Sequence, residues 1–142
     1  MSDTRAYTGG CLCGSVRYEA AGEPSLQGLC FCDDCRRASG SLFLPFLRFA
    51  RSAVRISGRT ATHTMRGGSG ADTVRNSCAA CHSLIFGAPQ SDPWMYTIYG
   101  GSLDEPSRVV PRVALFARDL PAWLVLPAGM QVFSGRADGP SR

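Results

Sequence analysis

Seven cysteines in three tight clusters constrain this chain more than any other feature: Cys11-Leu12-Cys13, Cys30-Phe31-Cys32-Asp33-Asp34-Cys35 and Cys78-Ala79-Ala80-Cys81. An odd count leaves one thiol over under any disulfide pairing, and a bridge across a single residue is strained. The short spacings suit a metal better, because the backbone N–H groups that follow each cysteine curl toward its sulfur. Residues 1–10 are polar and lack an apolar stretch, so no secretory signal is expected there and a reduced, cytoplasmic setting follows. In such a setting clustered cysteines more often bind metal or carry out chemistry than form bridges.

Zinc is the natural guest. A closed zinc site takes four thiolates, whereas a zinc that does chemistry keeps three protein ligands and one open position. Seven cysteines divide as four plus three, giving two zincs per chain. Spacing permits two divisions. Cys32/Cys35 can join Cys78/Cys81 as the two knuckles of a ribbon, leaving Cys11, Cys13 and Cys30 over. Alternatively Cys11/Cys13 joins Cys78/Cys81 in the closed site, and Cys30, Cys32 and Cys35 hold an open one, which leaves no thiol idle.

At 142 residues the chain is expected to form one domain, spanning 1–142, that buries a real core without relying wholly on metal. No run approaches the roughly 18 apolar residues that cross a bilayer, so no membrane role is expected. The net charge of +4 comes from 15 basic residues, all arginine, a side chain that grips carboxylates and phosphates in a two-pronged fashion. The arginines are scattered and no stacking-aromatic motif accompanies them, so nucleic acid is not an expected partner.

The 16 glycines and 9 prolines imply many turns and short strands, hence an all-β, β-rich domain with short helical turns. Strands are expected at 15–20, 42–49, 54–56, 60–65, 73–77, 84–86, 95–99 and 112–116, with Pro45 placing its strand at an edge or a bulge. Such an edge could pair with a second copy as a homodimer. Gly67-Gly68-Ser69-Gly70 reads as a hairpin turn, and 34–38 and 120–124 as helical turns.

Gly9-Gly10-Cys11-Leu12-Cys13-Gly14-Ser15-Val16-Arg17-Tyr18, the segment from Cys30 to Ser41, Cys78-Ala79-Ala80-Cys81, Gly101-Ser102-Leu103-Asp104 and Pro121-Ala122-Trp123 together resemble the glutathione-dependent formaldehyde-activating enzyme family. The resemblance covers nearly the whole chain and implies an Mss4-like zinc-binding β fold. It also implies a structural zinc on Cys11, Cys13, Cys78 and Cys81, and a catalytic zinc on Cys30, Cys32 and Cys35. Two positions depart from it. Phe31 stands where many members carry histidine in the catalytic loop, and Ala114 stands where a second histidine is common. The two histidines present are His82, read as a knuckle neighbour, and His63, read as surface or core filler.

The implied activity is that of a carbon–sulfur lyase: glutathione adds to formaldehyde to give S-hydroxymethylglutathione. Zinc held by three thiolates is a poor generator of hydroxide and is better suited to exchange a thiol. Glutathione carries two carboxylates, so Arg36, Arg37 and Arg48, nearest the loop in sequence, are its expected contacts. Asp33 and Asp34 are expected to cap the turn after Cys32, and Trp94, Tyr96, Tyr99 and Trp123 to fill core. Other readings of the same residues are a non-catalytic zinc module, a redox switch at Cys32 and Cys35, and the same scaffold acting on another thiol or aldehyde.

Overall fold

Alternation of side chains across a pleated strand sorts this chain into two faces per strand, and the buried set shows which face meets the core. The computed structural model describes residues 4–68 and 70–137; Ser69 of the Gly67–Gly70 turn lies outside them. Eleven strands are described: β1 Tyr7–Gly10, β2 Arg17–Ala20, β3 Leu26–Cys30, β4 Leu44–Ala50, β5 Val54–Ser57, β6 Thr60–Arg66, β7 Asp72–Cys78, β8 Leu84–Pro89, β9 Met95–Tyr99, β10 Val113–Leu115 and β11 Gln131–Val132. One α-helix, α1 (Asp33–Ser39), joins β3 to β4 and stops at Gly40, whose φ of 70° puts it in the left-handed region, with its N–H bonded to the Arg36 carbonyl. No described helix is long and apolar enough to cross a membrane.

Strands β1, β2 and β5 form a three-stranded antiparallel sheet, and the other eight form a second sheet in the order β11-β10-β3-β4-β9-β8-β7-β6. Directly paired residues share a face, so the cross-strand registers divide the large sheet cleanly. Phe86, Ile98 and Leu47 lie in register on one face. There they pack with Phe49, Ile85, Val16, Tyr18 and Ala20 in the core between the two sheets. Toward β10 the same face carries Leu29 and Ala114, covered by Leu120, Leu124, Leu126 and Met130 from the segment that precedes β11. The opposite face carries Cys30, Phe46, Val113 and the cleft described below.

Several expectations are corrected. Strand β4 is interior, with β3 on one side and β9 on the other, so Pro45 offers no edge to a second copy. Pairing of β4 with β9 begins at Phe46, which leaves the missing N–H of Pro45 just outside that ladder. Trp94 and Trp123 are 79% and 72% exposed rather than core, while Tyr99 is buried. Residues 120–124 form a single tight turn, closed by the Leu124 N–H on the Pro121 carbonyl. Strands β1 and β3 escape pattern reading. Three successive residues of β3, Gly28, Leu29 and Cys30, are all buried, so no polar alternation marks it.

Phe31 is fully buried against Phe43, with ring centroids 5.4 Å apart. Phe31→Ala is expected to destabilise the fold by about 3–5 kcal/mol, read as a lowered urea midpoint with an unchanged slope. Trp94→Ala is expected to move it by less than about 0.5 kcal/mol.

Candidate metal sites and cleft

Cys11 follows β1 directly and Cys78 ends β7, so packing the small sheet on the large one brings the first cysteine pair onto the last. The Sγ atoms of Cys11, Cys13, Cys78 and Cys81 all lie within 4.8 Å of one another. Cys11 and Cys13 are 3.6 Å apart and Cys13 and Cys78 3.8 Å. Four sulfurs at about 2.3 Å from a tetrahedral zinc stand about 3.8 Å apart, so this donor set fits the ion. Backbone N–H groups point at the sulfurs: Val16 to Cys11 at 3.2 Å, and Ala80 and Cys81 to Cys78 at 3.3 and 3.4 Å. Such donors favour thiolate over thiol. The Ser83 hydroxyl, 3.2 Å from Cys81 Sγ, and then the Ser83 N–H draw the Cys81 thiol down to about 5. His82 closes the knuckle with φ of 64° and its N–H on the Cys78 carbonyl at 3.0 Å.

This grouping decides between the two divisions that spacing permits. Cys32 and Cys35 belong with Cys30, and their three Sγ atoms again lie within 4.8 Å of one another. Cys30 ends β3, Phe31 turns away, and Cys32 is the N-cap of α1, its Sγ accepting the Cys35 N–H at 3.3 Å. The cap therefore comes from the cysteine and not from the aspartates. Asp33 pairs with Arg36 at 3.0 Å in the first turn. The three sulfurs share charge unequally. Hydrogen bonds from Cys30 and Cys32, then the nearby Arg75 guanidinium, hold Cys35 down to about 3. Bonding to Cys32 and Cys35, and then burial, push the Cys30 thiol up. One thiolate thus accepts hydrogen bonds from its protonated neighbours, and a bound cation would let all three ionise together. Among the described residues, the group contains no fourth metal-binding side chain.

The trio opens onto a cleft of about 310 Å³ on the sheet face opposite the main core. Its floor is a register row. Arg75, Gly87, Thr97, Arg48 and Leu26 are successive partners across β7, β8, β9, β4 and β3 and therefore project to the same side. Leu44, Phe46, Leu115 and Phe116 add apolar wall. Phe116 holds φ of 55° and touches the β6–β7 turn, where a Cβ on Gly68 would lie 3.1 Å from its ring. Arg75 is the member that sequence reading missed. It is 8% exposed, with Nη1 donating to Tyr99 Oη at 3.0 Å and Nη2 directed at Cys35 Sγ at 3.6 Å. Burial pushes the Tyr99 phenol up to about 12, so it stays neutral.

Of the three arginines nearest the loop in sequence, only Arg48 lines the cleft, and it also pairs with Asp92 at 2.9 Å. Arg37 is exposed on α1 and Arg36 is engaged by Asp33; neither is among the lining residues. Phe31 and Ala114, the two positions that depart from the resembled pattern, share one buried apolar cluster on the far side of the sheet from the trio. His63 is exposed on β6.

A β-rich chain that gathers four cysteines between two sheets and three more beside a cleft is an all-β, Mss4-like metal-binding protein. The chain belongs to the glutathione-dependent formaldehyde-activating enzyme family, whose sequence profile matches residues 6–119. No curated protein matches it significantly. The crystal structure of a Rhodobacter sphaeroides protein is similar over 74% of this chain and 92% of its own, at 24% identity and a TM-score of 0.52, and shares the fold.

A Cβ on Gly87 would fall 2.5 Å from Tyr99 Oη. Gly87→Ala is therefore expected to displace the phenol that anchors Arg75 and to destabilise the protein by about 1–3 kcal/mol. The checks are thermal unfolding and the near-ultraviolet tyrosine signal.

Proposed function

We propose that this chain is a zinc-dependent carbon–sulfur lyase that joins a thiol, glutathione in the reading its family suggests, to an aldehyde such as formaldehyde, and that also runs the reaction in reverse. The observation that carries this is a three-cysteine cluster with no fourth ligand among the described residues, opening on a cleft of about 310 Å³. Cys30, Cys32 and Cys35 would hold the zinc of the reaction, and Cys11, Cys13, Cys78 and Cys81 a structural zinc. When bound at the trio, zinc supplies the electrophilic charge that favours the thiolate form of an incoming thiol at neutral pH.

The chain's own residues supply the rest. Cys32 at the cap of α1 and Cys30 at the end of β3 fix the direction from which a thiol enters. The apolar walls exclude water, which strengthens every charge interaction inside the cleft. Arg48, between Thr97 and Leu26 in the register row, would receive a carboxylate of the thiol in exchange for part of its contact with Asp92. In the addition, a sulfur lone pair forms the C–S bond as the carbonyl π pair moves onto oxygen. The proton lost by the thiol ends on that oxygen, so neither oxidant nor reductant is needed.

The lining favours a second reading on the same scaffold, an aldehyde with an apolar body larger than formaldehyde. Leu26, Leu44, Phe46, Leu115 and Phe116 offer surface that formaldehyde cannot use. If those walls bind substrate, kcat/KM should rise about fourfold for each methylene buried along a straight-chain aldehyde series. A flat series would return the assignment to formaldehyde.

Metal analysis is expected to find two zincs per chain, falling to one in Cys30→Ser and to one in Cys78→Ser. Calorimetric titration of the two-zinc protein with glutathione is expected to saturate, and to lose its heat in Cys30→Ser. No binding by fully loaded protein would point instead to a different thiol or to a non-catalytic zinc module.

A further inference from the structure

We infer that Arg75 is the built-in counter-charge of the three-cysteine centre, a positioning residue that governs how tightly the trio holds a metal and how readily it admits a further thiolate. The inference rests on reading that trio as a zinc site.

A guanidinium leaves water at a large penalty unless an anion meets it, and buried arginines are accordingly paired. Other arginines of the chain follow this rule near the surface: Arg17 meets Asp104, Arg48 meets Asp92 and Arg55 meets Glu19. Arg75 is more buried than any of these, yet among the described residues no carboxylate pairs with it. Its Nε approaches Met65 Sδ at 3.4 Å, its Nη1 the Tyr99 hydroxyl at 3.0 Å and its Nη2 Cys35 Sγ at 3.6 Å, and the group sits 5.8 Å from the centre of the Tyr99 ring. A thioether and a neutral phenol cannot balance a full charge. Among the described residues, Cys35 is the contact able to do so.

The charges match. Three thiolates around a divalent zinc leave the centre at minus one, and the adjacent guanidinium brings the sum to zero. A fourth thiolate can then enter a neutral site instead of an anionic one, which in a low-dielectric cleft is a large difference. The scaffold makes room for this. Gly87, opposite Arg75 on β8, presents no side chain, so the phenol of Tyr99 reaches across and fixes the guanidinium. Cys35 meets Arg75 from the first turn of α1, so the contact also ties the helix that bears two of the three cysteines to the sheet.

The test is zinc competition against a chromophoric chelator, supported by the sulfur-to-cobalt charge-transfer band of cobalt-loaded protein. Both need neither thiol nor aldehyde, so they stand apart from the question of substrate. In Arg75→Met the three-cysteine site is expected to bind zinc about 10–100-fold more weakly, as for loss of other groups that support metal ligands. Its cobalt band should shift, and the four-cysteine site should keep its affinity. Arg75→Lys, which retains the charge, is expected to recover most of the loss. The inference is overturned if Arg75→Met holds both zincs as tightly as the native chain. If Arg75→Met fails to fold, as loss of the four-cysteine zinc would reveal, Arg75→Lys decides: near-native affinity supports the inference. A hundredfold loss in Arg75→Lys with the four-cysteine site intact overturns it.

Discussion

The contact between Cys13 and Cys78, 65 positions apart at 3.8 Å, is the constraint on which the rest of the molecule depends. It exists because the β1-β2-β5 sheet buries Val16, Tyr18 and Ala20 against Leu47, Ile85 and Ile98 of the large sheet. The sulfurs meet at the margin of that apolar contact, and a metal there would lock the two sheets in register. Binding free energy at a preassembled structural site is folding free energy. With a metal bound, the four-cysteine group would act as a clamp, and its backbone N–H donors are already aimed at sulfur.

The same pleat that makes the clamp useful also separates it from the chemistry. Arg75 and Cys78 lie on one strand, three residues apart, and serve different sites on opposite sides of the sheet. The apolar packing that stabilises the fold occupies one face, and the other face is left to a row of side chains chosen for what they present to the cleft. Arg75, Gly87, Thr97 and Arg48 have little in common as strand formers; their register is what unites them. The row carries two charged groups, Arg75 beside the sulfur of Cys35 and Arg48 paired with Asp92, with Gly87 and Thr97 between them.

The two substituted histidine positions illustrate how much face matters. Phe31 lies between two of the trio's cysteines in sequence, and Ala114 lies between Val113 and Leu115, which pack near them. In space both point the other way, into the cluster with Leu29 and Phe43. Their identities therefore bear on the core under the loop that bears the trio rather than on the coordination of a metal. The polar contacts beside Cys35 come from β7 and β9 instead, from Arg75 and Tyr99.

Much of this was legible beforehand, for a physical reason. Cysteine spacing is a local property, and a Cys-x-x-Cys turn presents its sulfurs and N–H groups together wherever it sits, so the metal clusters, the helical turn at 34–38 and most strands could be read directly from the chain, though not the capping role of Cys32. Which pairs share a site could not be read from spacing, because that depends on sheet packing across more than sixty residues. Arg75, set among Thr73, Val74, Asn76 and Ser77, has the local pattern of an exposed strand residue. Arg36 and Arg37 have the local proximity to the cysteines expected of binding residues. Tertiary structure sets them apart, because α1 carries Arg36 and Arg37 outside the cleft lining while the register of β7 carries Arg75 beneath Cys35.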